Sequence, residues 1–345
     1  MTRFATIADL TDPNCLSQIV GPITAVQVTP FTAIGFSGSV LHRVQAAMAN
    51  GSTKNFVFKR TELKADWLSQ RTNDRIGREA ALLGEKDLEA TWTKIVNPYV
   101  AYAREKDSSG LLMDDLSEYL FPDLREPIEL ATENIIIDTV ASLHALFWDS
   151  PVIKKISWLN TPVGYLDLLT PGTHEQDEYC PSPDKIRTNI SDGWKLALEL
   201  VSPQVRKYLC RPVNEIFQRW ENLPVTLLHG DLKIANMAIV PGDRLALFDW
   251  PLVGCAPCSI ELGWYIAVNA TRLAGTKEDF LTKYRNSLQS QLKQAIDEKT
   301  WQQMIKLAVV SGSLMMLWSK ALGRSRSNGE EWEWWNSRLE EVVNA

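Results

Sequence analysis

The chain of 345 residues carries 36 Lys and Arg against 42 Asp and Glu, which gives a formal net charge of −6 at pH 7. This balance excludes a general nucleic-acid binder, because such proteins neutralise many phosphates with Lys and Arg. With 45% hydrophobic and 23% charged residues, the composition is that of a globular protein rather than a disordered chain. At this length we expect two lobes, each with its own core.

The sequence gives no sign of secretion or membrane insertion. Five cysteines, an odd number over a long chain, are not the dense framework of a small secreted protein. Asp9 and Asp12 lie where a secretory signal needs apolar residues. The longest apolar stretch, residues 307–318, is shorter than the roughly 20 residues that cross a bilayer. We therefore expect a cytoplasmic protein that binds neither membrane nor nucleic acid, with no obligate protein partner evident.

The first third of the chain has a sequence pattern typical of β-strands. Runs rich in β-branched and aromatic residues, separated by glycine-containing turns, predict three antiparallel strands between Ile23 and Lys59. A polar stretch from Ala65 to Gly84 favours helix. Trp92 to Ala103 is predicted to be extended, and Leu111 to Met113 to form a short apolar strand.

Downstream the periodicity becomes helical. Residues 134–148 carry apolar side chains at helical spacing over about four turns. Residues 158–189 are rich in Pro, Gly and acidic residues, as functional or mobile loops often are. Helices are predicted for 194–220 and from 260 to the end, with a strand pair within 226–250. The predicted fold class is α+β, with an antiparallel sheet in an N-lobe, a mainly helical C-lobe and a cleft between them.

The most informative segment is residues 225–250, VTLLHGDLKIANMAIVPGDRLALFDW. An apolar strand leads into a loop with His229, Asp231 and Asn236, and a hairpin then returns the chain to Asp249. A carboxylate and an amide on one loop, with a second carboxylate brought alongside, can hold Mg²⁺ through oxygen ligands. One carboxylate then stays free to meet a hydroxyl group, as phosphoryl transfer requires.

These residues resemble the H-x-D-x-x-x-x-N catalytic loop and the metal-binding aspartate of the protein-kinase-like superfamily. The His-Gly-Asp spelling, together with Phe248-Asp249-Trp250, is similar to the aminoglycoside phosphotransferase and choline kinase family. The resemblance implies a bilobal protein-kinase-like fold, with residues 1–115 as the nucleotide-binding N-lobe, 116–345 as the C-lobe and the active site between them. It also implies transfer of the γ-phosphate of ATP to a hydroxyl group of a small molecule, with ATP and Mg²⁺ as cofactors.

The resemblance assigns roles to four residues of this segment. Asp231 is expected to accept a hydrogen bond from the acceptor hydroxyl as the catalytic base. Lys233 occupies the position of the protein-kinase lysine that contacts the transferring phosphate. Asn236 and Asp249 are expected to be the Mg²⁺ ligands.

Upstream residues match the nucleotide-binding parts of the family in the expected order. Lys59 ends a predicted strand, like the kinase lysine that contacts nucleotide phosphates, and Glu79 on the next helix matches its carboxylate partner. Two glycines lie where a loop over the phosphates belongs, and Leu111–Leu116 matches the hinge, whose backbone would meet adenine. The nucleotide-binding residues implied in this way are Gly35, Gly38, Lys59, Glu79, Asp114 and Leu116.

Three alternatives stay open. Protein substrates are disfavoured, because Trp250 and Pro251 follow Asp249 and Glu261 comes soon afterwards, which leaves little room for a peptide platform. Pro251 also replaces an acidic residue of many relatives. A nucleotide-binding pseudoenzyme or regulator would keep the same fold without turnover, and an interaction protein would lack nucleotide binding.

The acidic residues Glu175, Asp177 and Glu178 suit a cationic acceptor, but a solvated acidic loop explains them equally well.

Overall fold

The computed structural model describes residues 1–31, 38–172, 184–324 and 329–345. Within these ranges the strands are β1 (Thr2–Phe4), β2 (Ile23–Phe31), β3 (Val40–Met48), β4 (Thr53–Glu62), β5 (Tyr99–Arg104), β6 (Ser108–Asp114), β7 (Thr226–Leu228), β8 (Met237–Val240), β9 (Arg244–Leu247) and β10 (Gly254–Ala256). The α-helices are α1 (Pro13–Val20), α2 (Trp67–Arg71), α3 (Arg78–Gly84), α4 (Leu130–Leu146), α5 (Pro151–Lys154), α6 (Pro162–Leu166), α7 (Asp184–Leu200), α8 (Pro203–Leu209), α9 (Val213–Phe217), α10 (Cys258–Val268), α11 (Lys277–Leu292), α12 (Glu298–Gly323) and α13 (Glu330–Asn344).

The N-terminal part is a six-stranded sheet in the order β1-β5-β6-β4-β3-β2. All neighbouring strands are antiparallel except β1, which pairs in parallel with β5. The three strands predicted between residues 23 and 59 are therefore confirmed as β2 to β4, and the short apolar strand as part of β6. The rest of the chain is mainly helical, so the predicted α+β class is confirmed. The division into lobes at residues 115 and 116 stays a prediction.

Two predicted elements differ from the structure. The helix expected from 65 to 84 is interrupted between α2 and α3, because Asn73 and Gly77 adopt positive φ angles of 53° and 71° and the Asp74 side chain accepts hydrogen bonds from the backbone N–H groups that start α3. The extended segment expected from 92 to 103 begins only at Tyr99. The residues before it form a 3₁₀ helix, Lys86–Thr93, whose first turn is capped by the Glu85 side chain.

The segment before β2 was not predicted as structure. β1 extends the sheet, and α1 lies over the sheet face that carries Val44 and Phe56. Leu10 and Leu16 from this segment are fully buried in that cluster. The N-terminal residues therefore form one of the layers that cover the sheet.

The larger hydrophobic core lies on the other side of the sheet. It joins Leu111 and Met113 of β6 to the helices and contains the buried rings of Trp194, Trp220 and Trp335. The larger cluster thus joins the sheet to the helical part of the chain.

Two segments differ from their sequence-based interpretation: the polar segment 158–189 contains helical residues, and the apolar stretch 307–318 is part of a longer helix. Within residues 158–189, the chain forms α6, which Thr161 caps and Pro162 begins, and α7 starts at Asp184. Residues 173–183, including the acidic side chains weighed above, lie outside the described ranges.

The apolar stretch at 307–318 belongs to the 26-residue helix α12, which is long and apolar enough to cross a bilayer. However, 67% of its most apolar window is buried inside the protein, as in a core helix.

Helix α10 packs against α12 at very short range. A Cβ atom on Gly263 would lie 2.1 Å from the Ala308 carbonyl oxygen and 2.2 Å from Ser311 Oγ. These distances leave no room for a side chain, so the glycine sets how closely the two helices approach.

We expect Gly263→Ala to lower the free energy of unfolding by about 1–3 kcal/mol, because the added methyl group forces the two helix backbones apart. Urea denaturation measures this change. Gly323→Ala at the end of α12 is the matched control, since no described atom lies within 4 Å of its Cβ position. Equal stability of the two variants would contradict the close approach of α10 and α12.

Candidate active site

The loop after β7 is shaped by a glycine with a positive φ angle. Gly230 has φ of 90°, and a Cβ atom there would lie 2.4 Å from the Leu252 carbonyl oxygen. Its N–H group donates to Glu261 Oε1 at 2.6 Å. The middle residue of His-Gly-Asp is therefore glycine for two reasons, its backbone conformation and the lack of space.

Asp231 follows directly, and both of its carboxylate oxygens are hydrogen-bonded. Oδ2 accepts from Lys233 Nζ at 2.7 Å and from Asn236 Nδ2 at 3.0 Å. Oδ1 accepts from Trp264 Nε1 at 3.1 Å. The side chain is largely buried, with the residue 8% exposed, so three donors from the loop and from α10 fix its orientation.

His229 braces this loop through its ring nitrogens. Nδ1 accepts a hydrogen bond from the Asp231 N–H group, and Nε2 lies 3.0 Å from the Phe248 carbonyl oxygen, to which it donates. Because backbone groups occupy both nitrogens, the ring has no nitrogen free for proton transfer. It also packs on Trp250, with ring centroids 4.4 Å apart.

The hairpin formed by β8 and β9 places Asp249 beside Lys59. The predicted hairpin is confirmed, and its turn contains Gly242 and Asp243 at positive φ angles of 83° and 56°. Asp249 has φ of 68°, and its Oδ1 lies 2.5 Å from Lys59 Nζ. The backbone N–H of Asp249 donates to the Tyr99 hydroxyl oxygen at 3.2 Å.

Lys59 of β4 is held between two carboxylates. Its Nζ lies 2.6 Å from Glu79 Oε2 of α3 as well as 2.5 Å from Asp249 Oδ1. Burial by itself would lower the pKa of Lys59, but the charges of Asp249 and Glu79 outweigh it and raise that pKa above its usual value. The ammonium group is therefore charged, and the predicted pairing of Lys59 with Glu79 is present.

Lys233 connects the two carboxylates of the site electrostatically. Burial would lower its pKa, but the charges of Asp231 and Asp249 raise it above the usual value. Desolvation would raise the pKa of Asp249, and the cations Lys59 and Lys233 together lower it. Each cation also lies directly against one carboxylate, Lys59 at 2.5 Å from Asp249 and Lys233 at 2.7 Å from Asp231.

The residues expected to bind Mg²⁺ offer suitable oxygen atoms. Both amide hydrogens of Asn236 are directed at Asp231, one to its backbone carbonyl and one to Oδ2, which leaves the amide oxygen for a cation. Asp249 contributes a carboxylate whose side chain is 37% exposed. No group of three or more His, Cys, Asp or Glu side chains in the described ranges could hold a metal ion. The donors fit Mg²⁺, which commonly takes one or two protein oxygens and completes its shell with phosphates and water.

Of the other residues predicted to bind the nucleotide, the structure describes Gly38, Asp114 and Leu116. Gly38 N–H donates to Asp66 Oδ2 at 2.9 Å, and Gly35 lies outside the described residues. The Asp114 N–H donates to the Pro98 carbonyl oxygen, so this N–H is already used within the fold. Leu116 and Phe248 both pack against one small buried cluster of the β8–β9 hairpin, and Phe248 directly precedes Asp249 in the chain.

Comparison with known proteins identifies the fold. No family model matches the sequence, and no curated protein matches it. The structure is similar to the ethanolamine kinase of Plasmodium vivax, with a TM-score of 0.51 and 15% identity, over 94% of this chain and 84% of that chain. The chain has the protein-kinase-like fold of the small-molecule kinases.

Other solved structures of this fold align over most of the chain. Choline kinase LicA from Streptococcus pneumoniae has a TM-score of 0.48 at 13% identity, covering 96% of each chain. A spectinomycin phosphotransferase has a TM-score of 0.49 at 12% identity, covering 96% of this chain and 95% of that one.

The site contains residues to which the sequence alone assigns no role. Tyr99 donates to Glu79 Oε1 at 2.6 Å while it accepts from Asp249, and Trp250 N–H donates to the same carboxylate oxygen at 3.1 Å. No local signal marks Tyr99, because its partners are 20 and 150 residues away.

Glu261 is a second residue without an assigned role in the sequence analysis. Its carboxylate is fully buried and binds the Gly230 N–H through one oxygen and His144 Nε2, at 2.9 Å, through the other. The second ring nitrogen of His144 lies 2.6 Å from the Tyr284 hydroxyl group. A chain of buried hydrogen bonds across α4, α10 and α11 therefore fixes the start of the loop that carries Asp231.

We expect Tyr99→Phe to lower the free energy of unfolding by about 1–3 kcal/mol, because it removes a donor from buried Glu79 and the acceptor of the Asp249 N–H. Chemical denaturation measures the loss. Tyr208→Phe is the matched control, because the Tyr208 hydroxyl is buried and has no hydrogen-bond partner among the described residues. If Tyr99→Phe costs no more than this control, the hydroxyl does not tie Glu79 to Asp249.

Proposed function

We propose that the protein is a small-molecule kinase that transfers the γ-phosphate of ATP to a hydroxyl group of a small molecule. One observation carries the proposal. The buried ammonium of Lys59 is held between Glu79 and Asp249, and a second ammonium, that of Lys233, pairs with Asp231 at 2.7 Å. Cationic groups, a metal-binding carboxylate and a second carboxylate for the acceptor are the parts that phosphoryl transfer requires.

Lys59 would contact the phosphates of the nucleotide. Its ammonium has three hydrogens, and the two carboxylates use two of them, which leaves one for a phosphate oxygen. Glu79 would keep the ammonium in place as the charge on the phosphates moves during transfer. Bound Mg²⁺, held by Asn236 and Asp249, would neutralise charge on the phosphates.

Asp231 would act on the acceptor. Its carboxylate would accept a hydrogen bond from the hydroxyl group, orient that group in line with the γ-phosphate and take its proton late in the transfer. In a loose transition state the nucleophile needs positioning more than prior ionisation. Lys233, which donates to Oδ2, would stay close enough to contact the transferring phosphoryl group.

The short path from Asp249 to α10 supports a small acceptor over a protein substrate. β10 pairs antiparallel with β7, and α10 begins at Cys258, so the intervening residues fold back onto the strand that leads into the catalytic loop. They do not form an extended surface on which a peptide could lie.

We expect Asp231→Asn to lower kcat by about 10²–10⁴-fold, because it removes the proton acceptor. Its affinity for MgATP should stay close to that of the wild type, since Lys59, Asn236 and Asp249 are unchanged. Release of ADP measures turnover, and thermal unfolding with and without MgATP measures binding. Asp243→Asn is the matched control, an exposed residue in the turn of the β8–β9 hairpin. Wild-type turnover in Asp231→Asn would remove the catalytic assignment.

The acceptor is identified by measuring ADP release with a panel of alcohols that includes ethanolamine, choline and spectinomycin.

A nucleotide at about 100 times its dissociation constant should stabilise the protein by about 2.7 kcal/mol. Stabilisation by MgATP without transfer to any alcohol or to water would favour the nucleotide-binding pseudoenzyme. No stabilisation by MgATP would favour an interaction protein.

A further inference from the structure

The indole of Trp264 contacts the carboxylate that we propose as the catalytic base. Trp264 lies on α10, three residues after Glu261, and is half-buried. Its Nε1 donates to Asp231 Oδ1 at 3.1 Å. Neither the His-Gly-Asp motif nor the metal-binding residues account for this contact.

The two oxygens of Asp231 have different surroundings. Oδ2 already accepts from Lys233 and Asn236, which occupy the lone-pair positions that a carboxylate oxygen offers. Oδ1 accepts only from Trp264 among the described residues. The oxygen with capacity for one more hydrogen bond is therefore the one beside the indole ring.

A tryptophan is chemically suited to this position. The indole N–H group is a hydrogen-bond donor only, has no acceptor atom and does not ionise at neutral pH. It can orient a carboxylate without competing for the hydrogen of an approaching hydroxyl group. A His or Lys in its place could itself take or give a proton.

Helix α10 holds the catalytic loop at two successive residues. Glu261 binds the N–H of Gly230, and Trp264 binds the side chain of Asp231. Residues three apart share one face of a helix, so both contacts come from the same side of α10. Gly263 between them lies against α12, which gives the helix a fixed support.

We propose that Trp264 is a positioning residue that selects Oδ1 of Asp231 as the atom that receives the acceptor hydroxyl. This inference rests on the proposed kinase function. In the transfer step, the acceptor O–H proton passes to Oδ1 while the acceptor oxygen bonds to the γ-phosphorus. The bond from that phosphorus to the β–γ bridging oxygen breaks, and its electron pair leaves with ADP. The acceptor therefore binds alongside the indole ring of Trp264.

Trp264→Phe tests the inference, because it keeps an aromatic ring and removes the N–H donor. We expect kcat to fall by about tenfold, which corresponds to about 1.4 kcal/mol of transition-state stabilisation. The KM for MgATP and the thermal shift with MgATP should stay within about twofold of the wild type, since no nucleotide-binding residue changes.

The matched control is Trp334→Phe. Trp334 is also half-buried, and its indole donates to a carboxylate, Glu278 Oε1, at 2.9 Å. It belongs to α13 and contacts no residue of the proposed site. Steady-state turnover is measured with MgATP and the acceptor found in the panel, or with water as acceptor if no alcohol is phosphorylated.

The outcomes separate this inference from the proposed function. A wild-type enzyme that turns over, with Trp264→Phe equal to Trp334→Phe, overturns the role of Trp264 and leaves the kinase assignment intact. A loss of MgATP binding in Trp264→Phe along with kcat also overturns it, because a positioning residue of the base would spare the nucleotide. Absence of turnover in the wild type overturns the proposed function itself and this inference with it.

Discussion

The site depends on one buried cation. Lysine is almost never buried without partners, because removing its charge from water is costly. Lys59 is 5% exposed, and it is tolerated there because Glu79 and Asp249 place carboxylate oxygens 2.6 and 2.5 Å from its Nζ. The two partners are 20 and 190 residues away in sequence. A single ammonium group therefore ties the sheet, helix α3 and the segment after the β8–β9 hairpin together, and its loss would leave the buried carboxylate of Glu79 without a cation.

Helix α10 organises the other half of the site. Its buried Glu261 satisfies the backbone of Gly230, and its Trp264 satisfies the Asp231 side chain. The helix can do this only because Gly263 allows the backbone of α12 to approach closely. Packing between two core helices thus sets the position of a loop that carries the proposed chemistry. Lys59 and Asp231 thus have separate supports, the first from Glu79 and Asp249 and the second from the loop and α10.

The parts of the site that are local in sequence could be predicted from it. His229, Asp231, Asn236 and Asp249 lie within one strand, loop and hairpin, so their spacing alone indicates that they converge. Strands β2 to β4 and helix α4 could be predicted for the same reason, since period and turn residues are local signals. Tyr99, Glu261 and Trp264 could not be assigned, because their roles arise only when distant elements pack together. The broken helix before Glu79 shows the same limit, since the Asp74 side chain overrides the helical pattern around it.

The backbone of Asp249 has a further consequence. A non-glycine residue with φ of 68° carries strain of about 1–3 kcal/mol and keeps that conformation only while its neighbours enforce it. Here the enforcing contacts are the Tyr99 hydroxyl and the Lys59 ammonium. The same contacts that pair Lys59 therefore also hold the backbone of Asp249 in a conformation that this residue rarely adopts.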